Sequence, residues 1–235
     1  MRTGSVTASY RELFAEPRVR RLALADVCAR LPQGMVTITL LLVVAQHASM
    51  TVAGLVVAGY TLGQAVTGPL RGRLADRRGL VPVATVCGIG YAAALLALLA
   101  SAMSHGPAGL DLGTAALAGL LNPPLSPGMR SLWSTHACAR LKQTAFALDA
   151  AVFDLAYITG PVLASALATG LVPAAALGLM LALTGAAVIT IGQSAGPLPQ
   201  PGPPRSRSLP GPLRSRSLRE LLLTAALLTA AGLYA

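Results

Sequence analysis

Three long stretches of this sequence carry no charged residue: 31–70, 79–110 and 155–204, of 40, 32 and 50 residues. About 20 apolar residues span a bilayer as a helix, so these gaps leave room for several crossings. Only 11% of the chain is charged and 54% is hydrophobic, against about 25% charged in a soluble domain. A soluble α/β enzyme, a disulfide scaffold, a coiled coil and a disordered chain are all excluded. The pattern is that of an all-α, multi-pass membrane protein with the lipid bilayer as its solvent.

Apolar runs separated by short polar turns predict helices at about 22–46, 52–70, 80–103, 111–133, 145–169 and 173–194, with a seventh beginning near 219. Short connections force neighbouring helices to run antiparallel. The basic residues then alternate. Seventeen lie in the N-terminal segment, the 2–3 loop, the 4–5 segment and the 6–7 segment; the other connections have none, and Arg30 lies inside a span. The positive-inside rule places the arginine-bearing connections and the N-terminus in the cytoplasm, which is the orientation expected of a protein in the cell membrane. The net charge of +10 is thereby explained by topology, with no nucleic-acid partner.

The domain plan expected from these runs is a cytoplasmic segment at 1–21, a six-helix domain at 22–194, a basic Pro/Arg/Ser-rich linker at 195–218 and an incomplete helix at 219–235. The linker repeats Arg-Ser-Arg-Ser-Leu at 205–209 and 214–218. It reads either as a solvated tether or as a strip resting on anionic lipid. Residues 221–235 are apolar but reach only about 22 Å as a helix, short of the ~30 Å hydrocarbon core. Cys28, Cys87 and Cys138 lack metal spacing and read as small buried hydrophobes. His47, His105 and His136 all fall in expected loops. No metal or other cofactor is implied.

The 2–3 loop reads Gly72-Arg73-Leu74-Ala75-Asp76-Arg77-Arg78-Gly79. It resembles the signature of the major facilitator superfamily, Gly-x-Leu-Ala-Asp-Arg-x-Gly, between the second and third helices. The departure is Leu80-Val81, where the family has basic residues. The resemblance implies a six-helix half of that fold, made of two inverted three-helix repeats, and secondary active transport. It also implies that Gly72, Arg73, Asp76, Arg77 and Gly79 form a latch against the opposite half; the alternative is a solvated turn whose arginines set topology. Gly160-Pro161 in helix five partly resembles the Gly-Pro motif of proton-coupled efflux members. Gly68-Pro69 occupies the corresponding middle helix of the first triplet.

Ionisable residues inside a membrane are costly and are functional candidates by default. They are Asp26 and Arg30 in helix one and Asp149 and Asp154 in helix five. Counted from the helix starts, Asp26 and Asp149 lie about 6 Å deep, and Arg30 and Asp154 about 12–14 Å. Asp26 and Arg30, four apart, share a helix face. The spacing suggests an Arg30–Asp154 pair that protonation of Asp154 would release, or else a static ion pair. In helix four, Asn122-Pro123-Pro124 with Pro127 is expected to strip helical partners from the carbonyls of Gly119, Leu120 and Pro123, leaving them to a wet cavity or a packed kink. Asn122, Pro123, Pro124 and Gln33 are the substrate-cavity candidates. Gly54, Gly59, Gly63 and Gly68 run down helix two for close packing. Trp133, Tyr10 and Phe146 fit an interfacial belt.

An intramembrane protease needs a Ser–His pair, and no histidine falls in an expected span; an enzyme is not expected. Two readings stay open. One is a transporter half exporting a small organic molecule, its identity open, against protons. The other is a non-transporting or partner-requiring half, because alternating access needs two bundles rocking about a site.

Overall fold

The computed structural model describes residues 10–136, 141–170 and 172–194. The chain divides into two compact units, 1–198 and 199–235. Every described residue belongs to the first, so the linker expected at 195–218 and the helix expected at 219–235 lie outside the described residues.

All regular structure among the described residues is helical. After a single turn at 10–13 come α1 (Pro17–Ala45), α2 (Met50–Arg78), α3 (Leu80–Met103), α4 (Ala108–Leu121), α5 (Leu125–His136), α6 (Lys142–Gly170) and α7 (Pro173–Ser194). Pro17 opens α1, where its missing N–H costs nothing. Ser49 caps α2, its hydroxyl accepting from the amide of Val52 at 3.4 Å. Five helices are long and apolar enough to cross a membrane: α1, α2, α3, α6 and α7. The remaining expected crossing, 111–133, is split into α4 and α5.

The split has a local cause. Pro123 and Pro124 supply no amide, and a residue before proline is driven out of helical ψ; Asn122 sits at φ −54°, ψ 122°. The three carbonyls that the sequence leaves open are each satisfied within the protein. Gly119 O accepts from the amide of Asn122 at 3.4 Å and Pro123 O from that of Leu125 at 2.8 Å. Leu120 O accepts from the Thr67 hydroxyl of α2 at 3.0 Å. The break is a bonded joint, and no wet cavity is needed to hold it.

The joint also changes neighbours. α4 packs on α2 and α3, whereas α5 lies against α1 and α6; α1 is the central helix, packed along α6 and α7. Two crossings are set by glycine. A Cβ on Gly160 would meet the Gly34 carbonyl carbon at 2.6 Å, and one on Gly34 would run into the Ala156 carbonyl oxygen, so α1 and α6 touch backbone to backbone. A Cβ on Gly63 would meet Ala116 O at 2.5 Å, and one on Gly119 would collide with Tyr60 O, closing α2 onto α4. Gly59 faces the Leu112 side chain of α4, while Gly54 and Gly68 meet nothing within 4 Å. The glycine row of α2 is thus a packing surface at two of its four positions. The packing counterpart of Gly160 is Gly63, not the Gly68 that the Gly-Pro pairing suggests.

The arginine-bearing signature is also placed differently from the expected loop. α2 continues to Arg78, and the turn to α3 is the single residue Gly79, at φ 93°, ψ 150°. Gly72 has nothing within 4 Å of a notional Cβ, so it permits no close approach. Asp76, Arg73 and Arg77 are exposed on the last turns of α2. Asp76 forms no ion pair with Arg73 or Arg77.

Candidate coupling site

α6 buries Ala145, Asp149, Ala156, Gly160 and Ala164 on one face, the face that meets α1 through Gly34. Asp154, five residues beyond Asp149, is turned about 140° around the helix axis and is exposed. Side chains lean toward the N-terminus of their helix. Arg30, one turn before Gly34, therefore reaches back along α6 and meets Asp149.

The result is a closed group of charges. The Arg30 Nε donates to Asp26 Oδ1 at 2.7 Å, and its Nη2 pairs with Asp149 Oδ1. Arg130, on α5, brings its Nε to within 3.3 Å of Asp149 Oδ2. The indole N–H of Trp133, one turn further along α5, donates to Asp26 Oδ2 at 3.2 Å. The Arg30 guanidinium lies 5.3 Å from the centre of the Phe153 ring, within cation–π range. Asp26, Arg30 and Asp149 are buried, whereas the Arg130 side chain is 71% exposed. Two arginines balance two aspartates, and hydrogen bonds satisfy the buried carboxylates, the condition under which a buried ion pair is tolerated.

Beside this group opens a cavity of about 540 Å³ whose wall includes Arg30, Ser126, Arg130, Phe153 and Asp154. Asp154 thus stands next to the charge group without joining it. The expected Arg30–Asp154 pair is corrected to Arg30–Asp26 and Arg30–Asp149, because Asp149 and not Asp154 lies on the α1-facing side of α6. Asn122, Pro123 and Gln33 do not line this cavity but a separate crevice of about 10 Å³, with Tyr60, Tyr91 and Thr184. Pro124 is buried beside them. Gln33 is connected to the cavity indirectly: its Oε1 accepts from the hydroxyl of Ser126, which lines the cavity wall. Pro161 lies within α6, next to the glycine that makes the α1 crossing.

Sequence reasoning missed three features. Trp133 is fully buried as a donor to Asp26 and is no interfacial anchor. Asp111, in the first turn of α4, is fully buried against His47. Arg71 is buried, its Nη2 donating to the carbonyl of Gln64 at 3.2 Å. For Trp133 a signal existed: α5 is strongly one-sided, with Leu125, Met129, Leu132 and Trp133 all buried. For Asp111, the helix onset it sits on looked like an ordinary exposed N-terminus. Among the described residues no group of three or more His, Cys, Asp or Glu side chains converges to hold a metal ion.

No curated protein matches the chain. A family model, Major Facilitator Superfamily, matches residues 22–235, which include all the full-length helices except the first turn of α1 and extend beyond them. With five helices long and apolar enough to cross a membrane, a helix pair broken at Asn122–Pro124 and a charge group shared by α1, α5 and α6, the chain belongs to the Major Facilitator Superfamily of membrane transporters.

Proposed function

We propose that this chain supplies one bundle of a proton-coupled secondary transporter that exports a small organic molecule across the cell membrane, with its N-terminus in the cytoplasm. The observation that carries this reading is Asp154. It is a carboxylate facing a cavity of about 540 Å³ beside a neutral Asp26–Arg30–Asp149–Arg130 group. Protons and substrate compete for such a group: protonation cancels its charge, and loss of the proton frees it to attract the ligand or the guanidiniums nearby. Arg30 and Arg130 then report the change to α1 and α5, because both are held by Asp149.

A second bundle completes the cavity in this reading, whether another part of a longer protein or a second copy. Its contact surface is supported by exposed apolar residues on α2 (Leu55, Leu62, Val66, Leu70) and on α6 (Leu155, Ile158, Val162). Asp76 with Arg73 and Arg77 would latch onto it from the arginine-rich end. The test is proton-driven flux in proteoliposomes, using the chain with its partner bundle. Asp154→Asn is expected to abolish pH-gradient-driven transport while leaving exchange of substrate across equal pH. Undiminished gradient-driven flux in Asp154→Asn removes the coupling role. A chain that binds no ligand with any partner bundle favours the non-transporting reading.

A further inference from the structure

Far from the coupling group, on the side without arginines, the protein buries a second ionisable cluster. His47, in the turn between α1 and α2, places its Nε2 2.8 Å from Asp111 Oδ2 at the start of α4. The imidazole is 4% exposed and the carboxylate 0%. The His105 ring, in the turn between α3 and α4, stands edge-on to it with centroids 6.2 Å apart. His105 holds φ 54° to do so, a backbone conformation uncommon outside glycine. Two polar atoms of this pair have no partner: His47 Nδ1 and Asp111 Oδ1.

The charge inventory of this side is short. Residues 31–70, 79–110 and 155–194 contain no Asp, Glu, Lys or Arg, and their only histidines are His47 and His105. The ends of α1, α2, α3, α6 and α7 therefore bring no charged side chain to the cluster, and the α3–α4 turn brings His105. Asp111 has one charge partner available. A neutral imidazole leaves it a lone buried carboxylate, which is costly, although the N-terminus of α4 offsets part of that cost. An imidazolium cancels it. Asp111 Oδ1 has no hydrogen-bond donor of its own, which leaves the charge on the ring beside Oδ2 to compensate the carboxylate.

We propose that His47 and Asp111 form a proton-binding site on the arginine-free side of the membrane, whose occupancy seats the end of α4 against the α1–α2 turn. The occupant is a proton drawn from that compartment. α4 continues through the Asn122–Pro124 joint into α5, which carries Arg130 and Trp133 to Asp149 and Asp26, so one broken helix has an ionisable contact at each end. This inference does not rest on the transport reading.

Its test needs no transport. Thermal unfolding of the full chain in lipid nanodiscs is followed at pH 5.5 and 8.0 through Trp133, the chain's single tryptophan. The two pH values bracket the ordinary histidine range, so a fold stabilised by taking up this proton is more stable at the lower one. The wild-type midpoint is expected to fall by about 3 °C or more. His47→Gln and Asp111→Asn should each remove that fall, and the double variant should match either one. A fall retained in His47→Gln overturns the proposal, as does a wild-type midpoint that does not move. Should His47→Gln not fold, histidine-selective NMR on wild type and Asp111→Asn decides it. One of three imidazoles must titrate differently once Asp111 is neutral, and three unchanged titrations overturn the site.

Discussion

At the residue scale the structure turns on which of two aspartates Arg30 meets. Removing the arginine strands Asp26 and Asp149 as buried carboxylates with too little compensation, so Arg30→Gln is expected to cost about 3–5 kcal/mol. Thermal unfolding in detergent should register this as a large drop in midpoint. Asp154 is exposed and unpaired, so Asp154→Asn should stay within about 0.5 kcal/mol of wild type. Equal destabilisation by the two would mean that Asp154 belongs to the buried group after all. The sequence pointed to Asp26, Arg30, Asp149 and Asp154 but not to Arg130, and the i, i+4 spacing put Asp26 and Arg30 on one helix face. It misjudged the partner on α6 because depth along a helix was weighed without rotation about it. Ala145, Asp149, Ala156 and Gly160 mark one face of small residues, and that face was readable. What no local pattern carried was the burial of Asp111 and His47: a polar residue in a turn looks solvated until the neighbouring turn folds over it.

At the element scale, two kinds of glycine look alike in sequence and differ in the fold. Gly34 and Gly160 are pressed backbone to backbone, so Gly160→Leu drives a wedge between α1 and α6, next to the Arg30 group. Overpacking of this sort costs about 1–3 kcal/mol or more, and the variant should lose folded yield or unfold at markedly lower temperature. Gly72 sits on a helix with open space around it. There alanine should stabilise by up to about 1 kcal/mol through helix propensity alone. Size-exclusion behaviour and unfolding midpoints of the two variants separate these outcomes; a harmless Gly160→Leu would refute the crossing. The helix boundaries themselves were largely legible, α3 and α7 most closely, because apolar runs and prolines define them. The extension of α2 to Arg78 was not legible. Charged residues read as loop, yet arginine and aspartate are tolerated on a helix end that projects beyond the apolar layer, where arginine also complements the helix dipole.

At the scale of the whole molecule, the arginine asymmetry and the exposed apolar faces make separate demands. The proposed orientation puts Gln46, between α1 and α2, and Ala75, near the end of α2, on opposite sides of the bilayer, a full helix apart. With Cys28, Cys87 and Cys138 replaced by alanine, Gln46→Cys should react with a membrane-impermeant maleimide added to intact cells. Ala75→Cys should react only after the cells are opened. The reverse pattern would invert the orientation and move the His47–Asp111 site to the cytoplasm, although the fold would stand. Labelling of both from outside would remove α2 as a crossing, and the bundle with it. The exposed faces of α2 and α6 demand cover of some kind. If lipid alone provides it, cysteines introduced at Leu62 and Ile158 should be protected by acyl chains and show no crosslink to any protein. If a second bundle provides it, those two positions should crosslink while Ile89 on α3, equally exposed, does not. That contrast separates a partner-requiring transporter bundle from one that stands alone in the membrane, because lipid makes no distinction between α2, α6 and α3.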